Sequence, residues 1–206
     1  MTLLSRCAVP TDTVTLARFL LGKVLVRDLG GAGDSPATRL MGRIVETEAY
    51  VENDAACHAY RGITPRNRSL FLDVGHAYVY LCHGTSFMLN MASERSGIGT
   101  GVLLRALQPL TGIDSMHNVR PQVRLRDLTR GPGRLTAALQ VDRRFDGNDL
   151  FAPGPLWIGS DGTIIAAIGD SVRIGLTKGA DSRLRFFVAG SDYLSGPRRL
   201  NEKPHR

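Results

Sequence analysis

The chain has 206 residues, the size of one domain with room for a single good core. No apolar run approaches the ~20 residues a membrane helix needs, and the start MTLLSRCAVP lacks the apolar stretch of a secretory signal. Twenty-six basic residues against 19 acidic ones leave a net charge of +7, which excludes an acidic, self-solvating chain and favours a polyanionic partner.

Only Lys23, Lys178 and Lys203 are lysines, so 23 of the basic residues are arginines. Arginine forks suit phosphate and stack on bases, although codon usage in a GC-rich genome inflates arginine as well. Scarce lysine disfavours Schiff-base chemistry. Cys7, Cys57 and Cys82 form no CxxC pair and no disulfide framework. The expected product is soluble and not secreted: cytoplasmic or nucleoid-associated in a bacterium, nuclear in a eukaryote.

In chain order, residues 1–10 read as a frayed arm. Thr11 or Asp12 then caps a short helix with Leu16, Phe19 and Leu20 on one face, ending at Gly22. Residues 23–29 alternate as a strand, and 30–37 (GGAGDSPA) form a flexible turn into a long strand at 39–50. In that strand Glu46, Glu48 and Tyr50 are spaced by two and share one face, with Val45, Thr47 and Ala49 on the other. Two carboxylates and a phenol on one face make either a solvated edge or the floor of a reactive pocket.

Residues 51–74 lack periodicity and form a long loop carrying Asp54, His58, Arg61, Arg66, Asn67 and Arg68. An acid beside arginines suits chemistry on a polyanion. Residues 76–83 alternate, Gly84-Thr85 turns the chain, and 86–91 returns, which puts His83 at or beside a hairpin tip. Residues 101–107 are apolar except for Arg105, which must find an anion or a carboxylate.

Residues 111–140 read as helical, and Gly131-Pro-Gly-Arg134 opens a helix whose free N–H groups suit a phosphate, or is a plain Pro/Gly start. Short strands follow near 155–159, 163–168, 172–176 and 184–189, then a Pro- and Arg-rich tail from 195. Segments 1–12 and 195–206 are expected as flexible ends of one domain, 1–206. The dipeptides Cys57-His58 and Cys82-His83 supply four zinc-ligand types, but adjacent residues in extended chain point apart.

GRIVETEAY at 42–50, TPRNR at 64–68, YVYLCHG at 78–84, VLLRALQPL at 102–110, RIGL at 173–176 and LRFFV at 184–188 together resemble the alkyladenine (3-methyladenine) DNA glycosylases, in collinear order over about 13–190. The resemblance implies an α+β fold: a single compact mixed domain around a curved antiparallel β-sheet, with a protruding DNA-inserting β-hairpin. It implies no cofactor and no metal. The implied partner is double-stranded DNA containing damaged purines, met by a monomer.

By that resemblance Glu48 is the general base that activates the attacking water. Tyr50, His58 and Tyr80 sandwich the extruded base, Asn90 crowds out guanine, and Leu176 sits beside the pocket. Arg105 holds the backbone near the flipped nucleotide. His83 is the wedge at the hairpin tip, where better-known members carry tyrosine. Apart from the resemblance, the chemistry of arginine makes Arg66, Arg68, Arg105 and Arg134 candidates for phosphate contact. Spacing alone does not choose between Glu46 and Glu48; the resemblance chooses Glu48 and leaves Glu46 to brace an arginine. The expected activity is base-excision repair by a monofunctional glycosylase. The alternatives are a non-catalytic damaged-DNA-binding module, a zinc deaminase, for which the H-x-E and P-C-x-x-C signatures are missing, and a bifunctional glycosylase/lyase.

Overall fold

A computed structural model of the chain describes residues 1–30 and 38–202. Its frame is a long strand, β3 (Thr38–Tyr50), which has neighbours on both edges. β2 (Val24–Leu29) pairs with its first half, and β6 (Gly101–Thr111) runs along the other edge from Met41 to Tyr50. Beyond β2, β9 (Arg185–Val188) takes over, pairing with Glu46–Glu48, and carries β8 (Ile168–Ser171). β7 (Leu156–Ser160) extends the sheet past β2, and β1 (Thr2–Leu3) pairs with β7. On the far side, β5 (Ser86–Ala92) and β4 (Ala77–Cys82) form a hairpin. Every pairing is antiparallel, and among the described residues the sheet is open.

Among the described residues three short α-helices complete the fold: α1 (Thr13–Phe19), α2 (Ile113–Val119) and α3 (Pro132–Ala138). Asp12 caps α1 by accepting from the Thr15 N–H. The apolar face of α1 puts Leu16 and Leu20 into a core shared with Ile44, Val79, Leu104 and Leu135.

The β3–β6 register shifts three times, once near Met41 and twice beside the carboxylates. Val45 is an extra residue on β3 between the Ile44–Leu107 and Glu46–Ala106 pairs, and Arg105 is an extra residue on β6 before Thr47–Leu104. Bulges bend strands and re-aim side chains. Val45 therefore does not join Thr47 and Ala49 on the helix-covered face. It packs with Ala106, Phe187 and Leu194, while Thr47 donates to the Ala17 carbonyl and Ala49 lies in the main core.

β5 pairs with β6 only over Asn90–Ala92, so the rest of the hairpin projects beyond the sheet. Its tip turns through His83 (φ 49°) and Gly84 (φ 70°), both left-handed, and Thr85 N–H closes the turn on the Cys82 carbonyl at 3.1 Å. This is the primed geometry that matches strand twist, and histidine is among the non-glycine residues that tolerate it.

The fold also departs from the sequence pattern elsewhere. Residues 163–167 and 172–176 are not strands: β8 starts at Ile168, and the chain after Ser171 spends its polar groups on side chains, with Ile174 N–H donating to Glu48. The span 111–140 is two short helices with a 3-10 turn between them, since Pro121 and the run to Thr129 interrupt the helical pattern. The N-terminal arm is pinned by β1 and by Arg6, which donates to the Val74 carbonyl and pairs with Asp149 at 2.7 Å. Ser195, at the start of the expected tail, is buried. Of the GGAGDSPA turn, 31–37 lie outside the described residues, as do 203–206 of the tail.

Candidate active site

The strand-borne carboxylates separate into two roles. Glu46 has no exposure and accepts from three neighbours: Arg185 Nε at 2.7 Å, Arg105 Nε at 3.1 Å and Ser195 Oγ at 2.7 Å. The Ser195 N–H also donates to it. Burial opposes its charge, but Arg185 and Arg105 outweigh burial and hold its carboxyl below the ordinary range. Glu46 is thus an ion-pair anchor.

Glu48 is also fully buried, and it reaches the pocket only through Tyr50, which lines it. Oε1 accepts from Ile174 N–H at 2.8 Å; Oε2 faces Arg105 Nη1 at 3.1 Å and accepts from the Tyr50 hydroxyl at 3.0 Å. Burial and the Glu48 charge push the Tyr50 phenol well above its ordinary pKa, so Tyr50 stays a donor. Tyr50 also lies under the Arg173 guanidinium, 4.6 Å from its ring centroid. Arg173 is fixed by Asp54 and by the Ala49 carbonyl.

In front of Tyr50 a cavity opens toward solvent. Tyr50, His58, Tyr78, Tyr80, Asn90 and Leu176 line it, with Cys57 and Gly101 behind them. Strand alternation explains the wall: Tyr78 and Tyr80 point the same way from β4 and stack at 5.3 Å, and Asn90 lies opposite Tyr78 on β5. His58 meets Tyr80 edge-on at 4.5 Å and shares a 2.9 Å hydrogen bond between Nδ1 and the Tyr78 hydroxyl. His58 and Tyr80 are therefore one wall of the slot, too close together to admit a ring between them. Burial, reinforced by Arg66, lowers the His58 pKa, so the imidazole is neutral near pH 7. Burial raises the Tyr78 hydroxyl to about 12.

The loop that carries His58 is held by Asn67, which is buried and donates to the His58 and Gly62 carbonyls at 2.9 and 3.0 Å. Its Oδ1 accepts from both the N–H and the hydroxyl of Thr64. In TPRNR the asparagine is thus a structural staple, and the arginines beside it are exposed. Arg66 lies 5.6 Å from the Tyr80 ring centroid at the mouth of the slot, and Arg68 faces solvent from a 3-10 turn.

Arg105 satisfies the demand of a buried arginine with two carboxylates. It is 7% exposed, and beyond Glu46 and Glu48 it faces a second cavity lined by Arg130, Arg134, Gly131, Ser195 and Gly196. Arg134 is half-exposed and shares Asp127 with Arg130, each at 3.4 Å. His83 is exposed at the hairpin tip, away from the slot.

The structure therefore brings together Glu48, Tyr50, His58, Tyr80, Asn90 and Leu176, puts Arg105 behind them, and leaves Arg66, Arg68, Arg134 and His83 on the surface around them. Sequence pattern alone assigns no site role to Tyr78, Arg173, Arg185 or Ser195, all of which the fold brings to this region. Tyr78 was findable by its shared parity with Tyr80; the others join the site only through long-range folding. Among the described residues no three His, Cys, Asp or Glu side chains converge in a metal-holding group, and no described helix is long and apolar enough to cross a membrane.

Comparison with known proteins gives one family. The methylpurine-DNA glycosylase (MPG) family matches residues 8–192. A protein of Mesorhizobium japonicum is 58% identical over 97% of this chain and 93% of its own length. One of Paraburkholderia phytofirmans is 50% identical over 98% and 92%, and one of Methanocella arvoryzae 42% identical over 90% of each chain. All three carry the name "Putative 3-methyladenine DNA glycosylase".

Proposed function

Since the chain belongs to the methylpurine-DNA glycosylase family, we propose that it excises damaged purines from duplex DNA by hydrolysing the N-glycosidic bond, with Glu48 as the base. One observation carries this reading: a buried carboxylate is joined through the Tyr50 hydroxyl to an aromatic-lined slot.

Chemistry on a base in a duplex requires its extrusion, at a cost of a few kcal/mol that damage reduces. The flipped purine lies with one face on the His58–Tyr80 wall and the other toward Tyr50. Stacking contributes roughly 1–3 kcal/mol per base and offsets extrusion. A neutral His58 suits a cationic alkylpurine, which an imidazolium would repel. Asn90 at the slot floor donates to the Tyr78 carbonyl at 3.2 Å, and that bond fixes its amide against an added purine substituent.

As the C1′–N bond breaks, its electron pair leaves with the purine and positive charge develops at the sugar. Glu48 takes a proton from a water whose oxygen bonds to C1′, giving free base and an abasic site. Oε1 accepts only from Ile174 N–H among the described hydrogen bonds, which leaves a lone pair for that water. Arg105, on Oε2, orients the carboxylate. A cationic purine departs without acid help; a neutral lesion such as hypoxanthine needs a proton at a ring nitrogen. Among the described residues no lysine lines the slot, and borohydride trapping during turnover is expected to give no covalent protein–DNA adduct; a trapped adduct would establish lyase chemistry.

His83 fills the gap left in the duplex. His83→Ala accordingly lowers single-turnover excision more from a fully paired lesion duplex than from one whose lesion is mismatched, a ratio measurable on two oligonucleotides. The function itself is tested by incubating excess protein with duplexes that each hold one 3-methyladenine, 7-methylguanine, hypoxanthine or etheno-adenine. Release of free base from at least one is expected; release from none would refute the reading.

A further inference from the structure

We propose that Ser195 is a positioning residue for the reaction, holding Arg105 in the place from which it contacts Glu48. The inference rests on the glycosylase reading and adds to it a residue from the chain segment that follows the sheet.

Ser195 is 5% exposed, and its hydroxyl makes three bonds that a hydroxyl can make together. It donates to Glu46 Oε1 at 2.7 Å and accepts from Arg105 Nε and Nη2 at 3.3 and 3.2 Å. Its own position is set by the Ser195 N–H on Glu46 and by a loop wound round Arg185. The Ser195 carbonyl accepts from Arg185 Nη2 at 3.3 Å, and the Asn201 Oδ1 from the same nitrogen at 2.6 Å. The Leu200 carbonyl accepts from Nη1 at 2.9 Å. With Glu46 on Nε and Ser171 Oγ on Nη1, every N–H of Arg185 is occupied, so Glu46 and Ser195 rest on a saturated, solvent-free hub.

Arg105 is the less constrained of the two arginines. It is the bulge residue of β6, and its remaining N–H edge faces the cavity shared with Arg130 and Arg134. Without the Ser195 hydroxyl, Nη2 has no partner among the described hydrogen bonds, and only Glu46 holds Nε. The guanidinium is then free to swing toward the cavity and away from Glu48. A shift of about 1 Å in a catalytic constellation costs up to 10²-fold in rate.

The test compares Ser195→Ala with the unaltered chain on one lesion duplex, measuring the single-turnover rate constant at saturating protein and, separately, the duplex Kd. We expect the rate to fall about 10-fold or more with Kd within about 2-fold. Asn201→Ala, which loosens the loop at Arg185 without touching Arg105, is expected to lower the rate in the same direction by about 3-fold, and it serves if Ser195→Ala fails to fold. Wild-type rates in both variants would overturn the inference and leave excision standing. Parallel loss of rate and affinity would overturn it too, by showing a merely structural role. No excision by the unaltered chain would sink it together with the glycosylase reading.

Discussion

Glu48→Gln lowers the single-turnover excision rate by about 10²- to 10⁴-fold, the usual yield of a positioned general base, and leaves lesion-duplex affinity nearly unchanged. The substitution keeps the shape of the side chain and the aromatic slot, because Glu48 itself does not line the cavity. It removes the carboxylate proposed to take a proton from the attacking water. The amide also meets three donors, Ile174 N–H, the Tyr50 hydroxyl and Arg105, with one acceptor oxygen in place of two. One donor loses its bond, so a stability loss of roughly 1–3 kcal/mol accompanies the loss of rate. Rapid-quench kinetics and a binding titration at the same temperature separate the two. A binding module would show no kinetic defect, since it would have no turnover to lose. An excision rate within a few-fold of wild type would exclude Glu48 as the base.

Glu46→Gln acts on the fold. It leaves Arg185, with no side-chain exposure, and the nearly buried Arg105 without their shared anion. Removing one partner of a buried ion pair typically costs about 3–5 kcal/mol. At roughly 2–4 °C per kcal/mol for a chain of this length, Tm falls by about 10 °C.

The pH dependence has a definite sign. The folded-state pKa of Glu46 is depressed, so its contribution is complete above the unfolded carboxylate value and is lost as pH falls through the folded one. Urea titrations across the acid range therefore show the wild-type chain losing this increment toward low pH, with the Gln variant lacking that part of the slope. A variant within about 1 kcal/mol of wild type would mean that solvent or Ser195 compensates the arginines and that Glu46 is no anchor.

The parts of this account that strand parity controls were legible in the sequence. A spacing of two put Glu46, Glu48 and Tyr50 on one face, and the same parity put Tyr80 on the wall of the slot. The requirement that a buried arginine find an anion foretold the Arg105 contacts in kind, though not that both carboxylates would be the partners.

What was not legible depends on chain segments far apart in sequence. Glu46 is joined to Ser195, 149 residues away, and Glu48 to Ile174, 126 residues away. The bulges at Val45 and Arg105 leave no local mark, because each is a mismatch between two strands and belongs to neither alone. Residues 172–176 have the composition of a strand, yet their backbone and side chains serve Glu48, Asp54 and the slot. Tertiary demand overrode local propensity there.

The most direct test of the account is the crystal structure of Glu48→Gln bound to a duplex carrying a single hypoxanthine. The purine is expected in the slot, one face on the His58–Tyr80 wall and the other toward Tyr50, with C1′ facing residue 48. A hypoxanthine still stacked in the duplex, or extruded into a different cavity with its sugar out of reach of residue 48, would contradict it.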